Sequence, residues 1–119
     1  MSKPIITRQN EDPQERAVRL LQPQIEPTLA RLPHDEFTLR QFVMYLRATE
    51  AGEEAYQYAV SGWPTNLTVG RQTIHGQIIP QLLRLVGRAE WLGYVYSDPA
   101  EEDGLAVPTR WSRPLTDVR

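Results

Sequence analysis

The chain has 119 residues, no cysteine, and 13 basic against 15 acidic side chains, for a net charge of −2 and a pI near 5.7. That length suits one domain, and the lack of cysteine excludes disulfides, thiolate zinc sites and cysteine nucleophiles together. No apolar run approaches the ~18 residues needed to span a bilayer, and Met1-Ser2-Lys3-Pro4 opens no signal peptide. The expectation is therefore a soluble, cytoplasmic protein with no membrane partner. The strongly basic balance of many nucleic-acid binders is absent, so the distribution of charge matters more than its sum. Residues 1–60 hold nine acids and seven bases. Residues 61–97 hold Arg71, Arg84 and Arg88 against Glu90 alone, and Asp98, Glu101, Glu102 and Asp103 follow.

Residues 1–11 are polar and predict a loose N-terminus. Asp12-Pro13 is a helix start, with an acidic N-cap before proline at the first helical position. Val18, Leu21, Ile25, Leu29 and Leu32 then form one apolar stripe. Pro23 and Pro27 fall on the opposite face, predicting a helix that is kinked or split with its prolines toward solvent. Glu36 to Leu39 predicts a short strand. Thr38-Leu39-Arg40-Gln41 is a capping box, and Phe37 and Phe42 have the spacing of a hydrophobic staple. Leu39, Phe42, Val43 and Leu46 give that second helix its buried stripe. Gly52 reads as a break, and Glu53 to Val60 as a third short helix ended by Ser61-Gly62-Trp63-Pro64.

A fourth helix is expected over about Arg71 to Val86. Ile74, Ile78, Ile79, Leu82, Leu83, Leu85 and Val86 fall on one broad apolar face. Thr73, Gln77, Gln81, Arg84 and Arg88 lie within roughly 80° of one another on the other. Pro80 sits in that polar face, and its ring presses on the carbonyl of Gly76, a residue that eases a kink. Trp91 to Tyr96 predicts a strand. Ser97 to Gly104 is a turn-rich acidic loop, and Leu105–Val107 with Thr109–Trp111 predicts the returning strand, at an edge because of Pro108. Residues 12–113 thus form one domain, and 114–119 a loose C-terminus.

The expected order is helix, strand, three helices, strand, loop and strand. This is a mainly α fold with a small β-ribbon (α+β). The stretch Val69-Gly70-Arg71-Gln72-Thr73-Ile74-His75-Gly76-Gln77-Ile78 resembles the turn and first half of the recognition helix in winged helix-turn-helix DNA-binding regulators. Gly70 stands where that family usually places a serine cap. Ser61 to Leu67 is longer than the family's tight turn. The resemblance implies a winged helix-turn-helix domain in which Arg71, Gln72 and Thr73 enter the major groove first, with Gln77 and Gln81 beneath them. Glutamine can pair bidentately with adenine, and arginine with guanine or phosphate. Arg84 and Arg88 would meet backbone phosphates. Tyr94, Tyr96 and the loop after them would form the wing, whose acids would repel a DNA backbone.

His75 falls on the apolar face and is expected to be a buried structural histidine. With only His34 besides, no metal site is expected. The acidic loop lacks calcium-loop spacing. No nucleophilic triad, phosphate-cradling glycine loop or HExxH motif is present, so neither catalysis nor a cofactor is expected. Trp63, Trp91 and Trp111 read as core or lid residues. Two functions remain in view: a small DNA-binding regulator or accessory factor, working as a symmetric dimer on duplex DNA, and a winged-helix module without DNA binding that contacts a protein through its acidic wing and aromatics.

Overall fold

Asp12 caps the first helix, α1 (Pro13–Arg31), by accepting from the Glu15 amide at 2.7 Å, and Glu15 returns the bond to the Asp12 amide. In the computed structural model, which describes residues 11–95 and 108–114, α1 runs uninterrupted through Pro23 and Pro27. Both prolines are exposed, while Leu21, Ile25, Leu29 and Leu32 are buried and Val18 is half-buried. Glu11 does not belong to a loose terminus. Its carboxylate receives two bonds from Arg19, at 2.7 and 2.9 Å.

Strand β1 (Glu36–Thr38) leads directly into α2 (Leu39–Leu46). The Thr38–Gln41 capping box forms as the sequence predicts, and the rings of Phe37 and Phe42 lie 6.0 Å apart. Helix α3 (Glu50–Val60) starts from Thr49, three residues earlier than the sequence suggests. Gly52 is not a break. It lies in the first turn, buried, where an added Cβ would overlap the Leu46 carbonyl oxygen. The glycine lets two consecutive helices touch, a tertiary demand that outranks its low helix propensity.

The next helix also begins earlier than expected. Asn66 accepts from the Val69 amide at 3.1 Å and caps α4 (Leu67–Thr73). Gly70, read from sequence as the cap, lies inside α4, where a Cβ would come 2.8 Å from the Trp63 ring. The chain then makes one widened π turn, Ile74–Ile78, and continues as α5 (Ile79–Leu85). The widening has a cause in the sequence. Pro80 has no amide to offer the carbonyl four residues back, and its ring needs room there. The Ile79 amide instead reaches five residues back, to the Ile74 carbonyl, the bond that defines a π turn.

Leu85 departs from its expected place on the apolar face and is 70% exposed. A widened turn holds back in azimuth every residue beyond it, which carries Leu85 out of the buried arc while Ile79, Leu82 and Leu83 stay inside. Arg88 is not on the helix either. It follows Val86 and Gly87 in the turn before β2, with φ of 55°.

Among the described residues, strands β2 (Glu90–Tyr94) and β3 (Thr109–Ser112) join β1 in a three-stranded antiparallel sheet in the order β1-β3-β2. Phe37 pairs with Trp111, which also pairs with Trp91. The register shifts between Trp91 and Gly93, and Gly93 takes a φ of 127° that a side chain would resist. Pro108 therefore does not mark an edge. It stands just before the central strand, where the missing amide costs no ladder bond, and its carbonyl accepts from Val95. Arg113 then ties the sheet to α1, donating to the carbonyls of Leu29 at 2.7 Å and Leu32 at 3.1 Å.

The core joins Leu21 and Ile25 of α1, Phe42 and Leu46 of α2, Tyr56 of α3, Ile78 and Leu83 of the long helix, and Trp111 of β3. Among the described residues no helix is long and apolar enough to cross a membrane. The expectations for 1–10, for Tyr96, for the acidic loop with Leu105–Val107, and for 115–119 fall outside the described residues.

Candidate nucleic-acid interface

The long helix 67–85 presents Gln72, Gln77, Gln81 and Arg84 to solvent. Residues four apart on an α-helix creep round the axis by about 40°. The π turn takes up much of that creep between Thr73 and Gln81, so Thr73, Gln77 and Gln81 run more nearly along the axis than a regular helix allows. Thr73 itself is half-buried, and its hydroxyl donates to the Val69 carbonyl at 2.8 Å. That bond leaves the oxygen's acceptor capacity, but not its proton, for a ligand.

Gln77 and Arg84 face a groove of about 480 Å³ between the helix and the sheet, whose far wall is Trp91, Tyr94 and Thr109. Trp111 closes its floor, 1% exposed, with its indole N–H donating to Thr109 at 2.8 Å. The Arg84 guanidinium lies 5.3 Å from the Trp111 ring centroid. This cation–π contact orients the side chain while leaving it exposed. Trp91 is 41% and Tyr94 51% exposed, and their rings meet edge-on with centroids 5.2 Å apart. Of the three tryptophans, Trp111 is thus a core residue, Trp63 packs half-buried against Gly70, and Trp91 is a surface residue.

Arg71 does not share that groove. It is half-buried and lines a second one, about 570 Å³, with Arg40, Val43, Met44 and Arg47 of the α2 side and Tyr56 of α3. Here Arg47 grips Glu53 through two bonds, at 2.6 and 3.0 Å, and lies 4.4 Å over the Tyr56 ring. Gln57 adds a third bond to the same carboxylate. The hydrogen bond from Arg47, and after it that from Gln57, lowers the Glu53 carboxyl to a pKa of about 2.

The sequence-derived set is therefore divided. Gln77 and Arg84 converge on one groove, Arg71 belongs to the other, Gln72 and Gln81 sit on the open face, and Arg88 lies in the turn beyond the helix. His75 is 4% exposed and borders both grooves. Arg40 and Arg47 escaped the sequence analysis. Their signal was present, since Arg40, Met44 and Arg47 recur at the i, i+4, i+7 spacing that puts them on the outer face of α2. Among the described residues, no group of three or more histidines or carboxylates is placed to hold a metal ion. Compared with models of known protein families, with curated proteins and with solved structures, the chain matches none.

Proposed function

We propose that the protein is a small winged helix-turn-helix DNA-binding protein, a regulator or accessory factor that lays the 67–85 helix in the major groove of duplex DNA. The observation that carries this reading is the exposure of Gln72, Gln77, Gln81 and Arg84 along the helix immediately before the β2–β3 pair. Glutamine amides can read adenine edges, and an exposed arginine can take guanine or a phosphate. The order α1-β1-α2-α3-α4/α5-β2-β3, with β1 joining the sheet beside β3, supports the winged-helix part of the proposal. One copy of a domain this small would cover a half-site, so the reading includes a symmetric dimer.

A second reading is favoured by Trp91, Leu92 and Tyr94, all more than 40% exposed on β2, which among the described residues lies at one end of the sheet. Aromatic side chains of this kind are enriched at protein interfaces, and on this reading the domain docks a protein partner there.

Fluorescence anisotropy of a labelled random duplex at ~50 and ~200 mM salt separates the two. Binding that weakens steeply with salt, and is lost in Arg84→Glu, supports the DNA reading. No binding at high micromolar protein in the lower salt overturns it and leaves the β2 face as the surface to pursue.

A further inference from the structure

The groove between α2, α3 and α4 concentrates positive charge in a chain whose net charge is negative. Among the described residues three arginines line it, Arg40, Arg47 and Arg71, against the single carboxylate of Glu53. That carboxylate is fully engaged, by Arg47 at 2.6 Å and by Gln57 at 2.8 Å. Arg40 and Arg71 have no carboxylate partner among the described residues, and the bond found for Arg40 runs to the Met44 sulfur at 3.6 Å. Two uncompensated guanidinium groups thus line the groove together with Val43 and the exposed Met44. Low-dielectric walls strengthen the attraction of such charges for an anion.

We infer that this groove binds a phosphate ester, held between Arg40 and Arg71, with its attached organic group against Met44 and the edge of Val43. Phosphate fits better than carboxylate for a geometric reason. One arginine fork already satisfies a carboxylate, as Arg47 does for Glu53, whereas a phosphate offers acceptor oxygens to forks arriving from two helices. The size agrees. About 570 Å³ exceeds what a bare phosphate fills and lies within the usual range of small-molecule sites. Arg47 contributes a positioned but compensated charge, pinned over the Tyr56 ring at 4.4 Å. The phosphate can belong to a nucleic-acid backbone or to a free nucleotide, and the inference does not rest on the major-groove reading, since neither Arg84 nor the glutamine row lines this groove.

The full-length chain and three variants test it: Arg40→Ala/Arg71→Ala, Arg40→Lys/Arg71→Lys and Arg84→Glu, each checked by circular dichroism. The probes are a labelled 20-base-pair random duplex across a salt series, and AMP followed by calorimetry. A salt slope lower by about 1 to 2 in the alanine pair, together with duplex affinity reduced about tenfold or more, assigns the groove to backbone phosphate. The lysine pair, which keeps charge without the fork, would then retain the slope and lose part of the affinity, and that loss of affinity is the readout should the alanine pair fail to fold. AMP binding by the wild type that both pairs weaken, with duplex binding unchanged, assigns the groove to a free nucleotide. If neither pair alters duplex binding and AMP does not bind, the inference is overturned. Loss of duplex binding in Arg84→Glu would leave the major-groove reading standing in that case.

Discussion

The Tyr56 hydroxyl and Nε2 of His75 are joined by a hydrogen bond of 2.8 Å, and neither residue is more than 4% exposed. Their rings meet edge-on, with centroids 5.8 Å apart, so α3 is tied to the π turn by a polar contact inside an apolar core. His75 borders both grooves, whereas Tyr56 lies on the arginine groove alone. A buried polar group that loses its partner costs far more than the pair contributes when intact. Tyr56→Phe is expected to destabilise the fold by about 1–2 kcal/mol in urea denaturation. Tyr56→Phe/His75→Leu should cost less than the sum of the single changes, and strict additivity would deny the coupling.

Gly52 carries the contact between α2 and α3. Because a Cβ there would run into the Leu46 carbonyl, a backbone atom, relief requires the helices to part. Gly52→Ala should cost about 3 kcal/mol, at the upper end of overpacking changes, despite alanine's better helix propensity. Gly62→Ala is the control, since its nearest neighbours lie 3.3 Å away. A thermal melt of each reads the difference.

Arg88 holds a left-handed backbone conformation, φ 55°, that side chains resist. Arg88→Gly is expected to stabilise the chain by up to about 1 kcal/mol. Equal or lower stability in that variant would show that the side chain makes a compensating contact.

The Glu53 carboxyl is held below its ordinary value, so its pairing with Arg47 stabilises the fold above the unfolded pKa and is lost as pH falls toward the folded one. That window runs from about 4.3 down to about 2. Both partners are more than a third exposed, and solvent screening limits the contribution to about 1 kcal/mol or less. The stability difference between wild type and Glu53→Gln should accordingly be constant from pH 7 to 5 and fade below pH 4. A difference that grows on acidification would contradict this assignment.

The legible parts of this fold were the local ones. Asp12-Pro13 and Thr38 with Gln41 signal helix starts within three residues, and both caps form as read. What the sequence hid depends on distant partners or on departures from regular geometry. Gly52 and Gly70 resemble helix breakers until Leu46 and Trp63 are seen against them. Pro108 suggested an edge because the strand that makes β3 central, β1, lies some 70 residues earlier. A helical wheel assumes one pitch throughout, so it placed Leu85 inside and Arg88 on the polar face, and the π turn before Pro80 undid the first of these. Gln77 and Gln81 stay exposed because the same hold-back brings them nearer to the axial line of Thr73. The arginine groove was hidden because its side chains come from three helices.

If duplex DNA meets the 67–85 helix, an NMR titration of the labelled 119-residue chain with a random duplex will register it along that helix. The largest amide shift changes are expected at Gln72, Gln77, Gln81 and Arg84. Changes confined to Trp91 through Tyr94, or none at saturating duplex in ~50 mM salt, would contradict it.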